Sequence, residues 1–307
     1  MSHLFGLALR RRSTTALLSH HNLSFKARTL YPTHRYINSS APTQVEPSFT
    51  AACCIIGDEI LNGKTRDSNA YFLSRYLFDL GISLKRVEVI ADDYDAISET
   101  ITRLSSQHDV VFTSGGIGPT HDDISYDAIA KAYSLPLKLD EETCTMMKEK
   151  SLGRFPDWSL TDARKRMALF PHPAKILRVD PELWVPIVVV NDNIHILPGI
   201  PRLFEGLVKS LRPHLEEALA KKQITGKYYR LEIATELPEG KIAPCLTATQ
   251  EQVEAQHIKI GSYPKWSTGP DGERVVVSIV GKDEAAVKAT AKSIAAEIQG
   301  WEYIRKV

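Results

Sequence analysis

Two acidic, glycine-bearing strings hold the residues best suited to chemistry. One is Thr113-Ser114-Gly115-Gly116-Ile117-Gly118-Pro119-Thr120-His121-Asp122-Asp123, and the other is Gly57-Asp58-Glu59-Ile60-Leu61-Asn62-Gly63-Lys64. Gly115, Gly116 and Gly118 let a backbone approach a ligand closely and adopt positive φ. The expected helix beyond them adds unpaired N–H groups and partial positive charge, which suit a phosphate. Asp122 and Asp123 at that same point would repel a phosphate unless a divalent cation lay between them. Carboxylate plus phosphate oxygen is the ligand set that Mg2+ prefers. The local sequence serves a plainer account equally well, in which the two aspartates cap the helix and complement its dipole. Asp58 and Glu59 alone read as a solvated acidic turn, but two such turns at adjacent strand ends favour a shared site. The chain has no Walker loop, and its glycine spacing is wrong for a dinucleotide fingerprint.

The elements that must position these strings follow from hydrophobic periodicity. Ala51 to Ile56 is a continuous apolar run and reads as a buried strand, with further strands at Leu84–Ile90 and Asp109–Thr113. Between them, Phe72, Leu73, Tyr76, Leu77 and Leu80 repeat at helical spacing after Asp67-Ser68-Asn69, where capping accounts for Asp67 and Asn69. Further helices are expected at Asp92–Ser106 and Asp122–Tyr133. Strands alternating with helices imply βαβ units and a parallel sheet, at whose carboxyl rim both acidic strings fall. Less regular helices are expected near Glu141–Lys150 and Thr161–Leu169. A hairpin follows around Asn191-Asp192-Asn193, then a Pro198-Gly199-Ile200-Pro201 turn and a helix over 202–221. Beyond the polar stretch Lys222–Lys227, the order is strand 228–235, helix 239–255, strands 257–263 and 273–280, and helix 284–298. With a last short strand at Trp301–Arg305, it suggests a small ferredoxin-like α+β unit. The expected fold is thus an open, three-layer, mostly parallel α/β domain over 50–222, with an α+β subdomain over 227–307.

Composition narrows the function classes. The 307 residues carry 38 Lys and Arg against 37 Asp and Glu, so net charge gives no argument for nucleic acid or an anionic membrane. No apolar run is long enough to span a bilayer. Residues 1–45 hold six of the basic residues, no acidic one and many Ser and Thr. That is the composition of a mitochondrial transit peptide and points to the matrix, with a cytoplasmic protein carrying a basic tail as the alternative. The four cysteines form no C-x-x-C pair, and Cys53 and Cys54 read as small core residues.

From residue 51 onward the chain resembles the molybdopterin-binding (MoaB/Mog-like) domain superfamily. The version is similar to the CinA N-terminal domain and the matching domain of eukaryotic FAD synthase. The resemblance is carried by Gly57-Asp-Glu-Ile-Leu-Asn-Gly63, Asp67-Ser-Asn69, Asp92-Asp93, Ser114-Gly-Gly-Ile-Gly-Pro-Thr-His-Asp-Asp-Ile124, Arg166-Met-Ala168 with Pro171, and Ile196-Leu-Pro-Gly-Ile-Pro201. Residues 228–298, with Ser262-Tyr-Pro-Lys-Trp266, resemble the extension carried by these two subgroups. Cofactor-making Mog and MoeA branches have an Arg-Asp or Lys-Asp pair where this chain has Thr120-His121-Asp122-Asp123. That departure favours the CinA and FAD-synthase branch, and resemblance to that branch implies metal-dependent cleavage of nucleotide pyrophosphates such as ADP-ribose or FAD. The adenylyltransferase domain of FAD synthases and the amidase domain of CinA proteins have no counterpart here. Neither FAD synthesis nor nicotinamide-nucleotide deamidation is therefore expected.

The residues and the resemblance together imply a metal-dependent FAD diphosphatase, releasing FMN and AMP. Asp58, Asp122 and Asp123 would hold Mg2+, Mn2+ or Co2+, which lowers the pKa of a bound water that attacks phosphorus. Glu59 would assist proton transfer, with His121 a weaker candidate. Backbone N–H groups of Gly115 to Gly118 would bind phosphate oxygens, with Asn62, Ser114, Thr120, Pro198 and Gly199 completing the substrate site. Lys64 and Lys165 are secondary phosphate candidates. Trp266 is either packing or a lid over a flavin or adenine. Two rivals stand beside this: a molybdopterin-binding or adenylyl-transfer protein, and a non-catalytic flavin or nucleotide module. The expected partner is a small nucleotide, with neither nucleic acid nor membrane, and the superfamily's dimers and trimers make a homo-oligomer an expected state.

Overall fold

Seven residues, Thr50–Ile56, form the strand β1, buried from Ala51 onward. The computed structural model to which it belongs describes residues 48–152 and 157–304. The basic amino-terminal segment and Arg305 lie outside them. After the short helix α1 (Asp58–Leu61) and the longer α2 (Asn69–Asp79) comes β2 (Ser83–Ile90), then α3 (Tyr94–Gln107) and β3 (Val110–Ser114). β1 lies parallel to β2 on one side and to β3 on the other. A strand covered on both faces needs an unbroken apolar run, which Ala-Ala-Cys-Cys-Ile-Ile supplies. β2 is an edge, and its exposed Lys85 and Arg86 discourage pairing with another chain.

The chain continues through α4 (Ser125–Ala132), β4 (Leu137–Leu139), α5 (Glu141–Leu152), α6 (Asp162–Arg166), β5 (Leu169–Pro171) and β6 (Lys175–Leu177). It then forms β7 (Ile187–Val190), β8 (Ile194–Leu197), α7 (Pro201–Ser210) and α8 (Arg212–Lys221). The main sheet has the order β2-β1-β3-β8-β7-β6. β8 continues the parallel set beside β3, and β7 runs antiparallel between β8 and β6. The β7–β8 hairpin turns through Asn191 at φ +50° and Asp192 at φ +60°, the left-handed pair that matches strand twist.

Three local expectations are corrected. The helix expected from Asp122 begins at Ser125. The stretch 161–169 divides into α6, capped by the Thr161 hydroxyl, and β5, which pairs antiparallel with β4. The helix expected over 202–221 breaks at Leu211, because Pro213 has no N–H to continue the ladder and instead opens α8.

Beyond residue 227 lie β9 (Tyr229–Thr235), α9 (Glu239–Val253), β10 (Lys259–Pro264), β11 (Val275–Gly281), α10 (Glu284–Glu297) and β12 (Trp301–Glu302). Their order, β10-β11-β9-β12 with every neighbour antiparallel, is the expected ferredoxin-like arrangement. This sheet and its helices enclose a second core around Ile233, Val277, Ile279 and Ile294, separate from the core of the main sheet. Among the described residues, no helix is long and apolar enough to cross a membrane.

Candidate functional site

Parallel strands deliver their carboxyl ends to one rim, and this rim carries both acidic strings. Gly57 follows β1, Asp92 follows β2, Gly115 follows β3 and Pro198 follows β8. Around them opens a cleft of about 730 Å3, lined by Asp58, Glu59, Asn62, Gly115, Gly116, Gly118, Asp122, Asp123, Pro198 and Gly199. Lys64 stands on the same wall, with Asp92, Met167, Trp184, Ile200 and Leu203. Ten of the candidate residues thus border one space, although Asp58 and Gly199 are 141 positions apart in the chain.

The glycine loop is built by close backbone approach. Gly115 sits at φ +114°, and a Cβ there would lie 2.1 Å from the Ile56 carbonyl oxygen. Its N–H donates to the Leu197 carbonyl at 3.2 Å, so this amide is spent on the sheet. The expectation that Gly115 binds phosphate through its N–H is corrected accordingly. No protein acceptor is recorded among the described residues for the amides of Gly116, Ile117 and Gly118. The loop is anchored from α4, where the Ser125 hydroxyl donates to the Gly115 carbonyl and the Ser125 N–H to the Gly116 carbonyl, each at 2.9 Å. Asp122 and Asp123 precede that helix, and neither side chain caps it. Helix capping therefore does not explain them.

Five carboxylates and one lysine line the cleft. Asp92 accepts the Asp58 N–H at 2.9 Å. Its pKa is raised above the ordinary carboxylate value, first by burial and then by the charges of Asp58, Glu59 and Asp122, against the lowering effect of that N–H. Asp123 accepts the Thr120 N–H at 2.9 Å and also the Thr120 hydroxyl. The Arg166 guanidinium donates to the Asp123 carbonyl at 3.2 Å. Glu59 folds back over the end of β1, where its carboxylate lies 2.7 Å from the position of a Gly57 Cβ.

The carboxylate oxygens of Asp58, Glu59, Asp92, Asp122 and Asp123 are the kind of donor a hard divalent cation prefers. Asp58, Asp122 and Asp123 share the wall, yet no group of three such side chains is gathered at ligand distance among the described residues. Bringing them onto one ion takes side-chain rotation, for which Asp58 and Asp122 have room because both are exposed.

The remaining candidates lie elsewhere. Ser114 is buried beneath the loop and accepts a hydrogen bond from the Asn69 amide at 2.8 Å. Thr120 is exposed and holds Asp123. His121 is almost wholly exposed, 4.0 Å from Asp122. Lys165 pairs with Asp162 at 3.1 Å and is absent from the cleft wall. Trp266 is fully exposed between β10 and β11, and Trp184 is the aromatic that lines the cleft.

Sequence reasoning quoted Asp92 among the family strings but gave it no role in the site, and it misassigned Asn69. Asp92 was within reach, since it follows β2 at the same rim as Asp58. Capping does explain Asp67, whose carboxylate accepts the N–H groups of Asn69 and Ala70. It does not explain Asn69, whose amide bridges to Ser114 and to the Gly199 carbonyl. No local signal marks partners 45 and 130 residues away.

Residues 52–217 match the family described as "Probable molybdopterin binding domain", and residues 227–307 match "FAD synthase, middle domain". A "Probable FAD synthase" of Caenorhabditis elegans is 31% identical over 231 residues, covering 70% of this chain and 44% of that protein. The chain therefore spans less than half the length of that relative. A Pyrococcus furiosus protein is 33% identical over 241 residues, covering 76% of this chain and 90% of its own length. Among solved structures, a CinA of unknown function from Thermoplasma acidophilum aligns with a TM-score of 0.49 at 32% identity, over 55% of this chain and 98% of that one. The chain belongs to the molybdopterin-binding domain family, and its carboxyl-terminal part matches the middle domain of FAD synthases.

Proposed function

We propose that the chain hydrolyses the pyrophosphate of a dinucleotide with the help of a divalent cation, with FAD as the preferred substrate and FMN and AMP as products. The observation that carries this reading is the meeting, in one cleft, of a glycine loop with unengaged amides and a wall of carboxylates. A loop of amides alone would suit any phosphate; the carboxylates beside it suit a metal–phosphate pair. The FAD synthase likeness of residues 227–307 favours a flavin nucleotide over a pterin.

In this mechanism the amides of Gly116 to Gly118 hold non-bridging phosphate oxygens. Asp58, Asp122 and Asp123 would hold the cation, which when bound neutralises phosphoryl charge and activates water. Glu59 takes a proton from the attacking water as its oxygen bonds to one phosphorus. The bridging P–O bond breaks, its electron pair stays on the departing phosphate, and two monophosphates leave. Trp184, Ile200 and Leu203 offer an apolar wall for a ring system.

The test is product analysis. The full chain is incubated with FAD or ADP-ribose, with Mg2+, Mn2+ or Co2+ or with chelator, and the nucleotides are separated. FMN plus AMP from FAD, only with metal, is the expected result. Tight binding without products would make the chain a nucleotide-binding module. Asp123→Ala should lower turnover by at least about a hundredfold, in line with the loss of electrostatic stabilisation at a phosphoryl group. Full metal-dependent turnover in that variant would show the carboxylate assignment to be wrong.

A further inference from the structure

We infer that Asn69 is a positioning residue that sets the width of the nucleotide cleft by locking the Pro198–Gly199 turn onto the glycine loop. Asn69 opens α2 yet is only 4% exposed. Its Nδ2 group donates to the Ser114 hydroxyl and to the Gly199 carbonyl, both at 2.8 Å. One amide thus joins the start of α2, the end of β3 and the turn after β8. Gly199 rests directly on Gly115, since a Cβ at Gly199 would stand 3.2 Å from the Gly115 Cα. Gly115 in turn rests on the Ile56 carbonyl at the end of β1.

The orientation of the amide is forced, because a carbonyl such as that of Gly199 can only accept. Asn69 Oδ1 is left buried without a partner. A fold that needed only stability would gain by replacing such a group with an apolar one, because an unpaired buried acceptor is costly. The arrangement is tolerated here for what the other end of the amide does. Asn69 stands behind the wall, outside the residues that line the cleft. It acts through Gly199 and Ser114, so its loss changes how tightly the nucleotide is gripped more than how fast the anhydride breaks.

The experiment compares Asn69→Ala and Asn69→Asp with the wild-type chain. Asn69→Asp keeps the shape, and its carboxylate can accept from Ser114 but repels the Gly199 carbonyl; this isolates the bond that matters. Two readouts are taken. In FAD turnover with metal, KM should rise about tenfold while kcat stays within about threefold, the signature of lost uniform binding. In amide exchange, peptides over 198–204 should exchange about tenfold faster while those over β9 to β12 do not change, as expected for local opening. Leu203 and Phe204 report this directly, because both donate to the Ile200 carbonyl next to Gly199. The kinetic arm rests on the diphosphatase reading; the exchange arm does not. If the wild type turns over no FAD, that reading fails and exchange alone decides the role of Asn69. Wild-type exchange over 198–204 in both variants, or acceleration spread evenly over the molecule, overturns the inference.

Discussion

Burial first, and then the charges of Asp58, Glu59 and Asp122, raise the pKa of the Asp92 carboxyl in the folded chain, against the lowering effect of the Asp58 N–H it accepts at 2.9 Å. The unfolded chain, where the group titrates near about 3.9, loses that proton at lower pH. Between the two values the folded state binds more protons, and stability falls as pH rises through the folded pKa. Asp92→Asn keeps an oxygen for the Asp58 N–H and removes the repulsion. Its thermal midpoint at neutral pH should therefore exceed that of the wild type, with the gap closing as pH falls toward the ordinary carboxylate range. Its metal-dependent turnover should fall, since one of the charges that attract the cation is gone. An equal gap at every pH, measured by thermal melts across that range, would show that the charge has no part in it. Gly115 makes the opposite case, a residue with no chemistry of its own. Gly115→Ala would drive a Cβ into the Ile56 carbonyl from a backbone at φ +114°, at a cost of about 2–4 kcal/mol in urea unfolding. The need for glycine there was legible in the string Ser114-Gly115-Gly116. The role of Asn69 was not, because a side chain that works through partners 45 and 130 positions away looks locally like any helix-opening asparagine.

At the scale of elements, what could be read depended on whether local pattern and tertiary surroundings agreed. β1 and β3 were legible because strands buried on both faces must be continuously apolar, and every residue of Val110–Ser114 is buried. The stripe Ile97, Ile101 and Leu104 of α3 was legible because its spacing places all three on the core face, where all three are buried. The start of α4 was misread, because acidic residues before an apolar run look like a cap whether they serve the helix or a cleft. Asp92 and Asp93 show how close those two uses can lie. Asp93 caps α3 by accepting the N–H groups of Asp95 and Ala96, while Asp92 turns to the rim. Asp93→Ala should thus cost about 1 kcal/mol, the usual loss for a cap of this kind. Measured as a shift in urea midpoint, that loss should persist with and without divalent metal, because the Asp93 carboxylate is not on the cleft wall. A penalty that appears only with metal present would place Asp93 in the site instead.

For the molecule as a whole, the carboxylates of one cleft are a stored repulsion that folding must overcome, and a bound cation converts it into attraction. An ion that binds only the folded chain stabilises it by mass action, by about 2.7 kcal/mol at a hundred times its dissociation constant. For a chain of this size that corresponds to a rise in Tm of roughly 5–10 °C. Monovalent salt also screens exposed carboxylates, so the comparison must be made at matched ionic strength. Mg2+, Mn2+ or Co2+ should raise Tm well beyond sodium chloride at equal ionic strength, and chelator should reverse the rise. In Asp122→Asn/Asp123→Asn the divalent increment should shrink to that of sodium chloride. A Lys222→Gln chain makes the contrasting measurement. Lys222 pairs with Asp109, which precedes β3 at the opposite end of the sheet, so its loss should lower Tm by the same amount with and without divalent ion. Equal divalent shifts in the wild type and the double variant would mean that the ion binds elsewhere, and the cleft would then have to owe its carboxylates to something other than a metal.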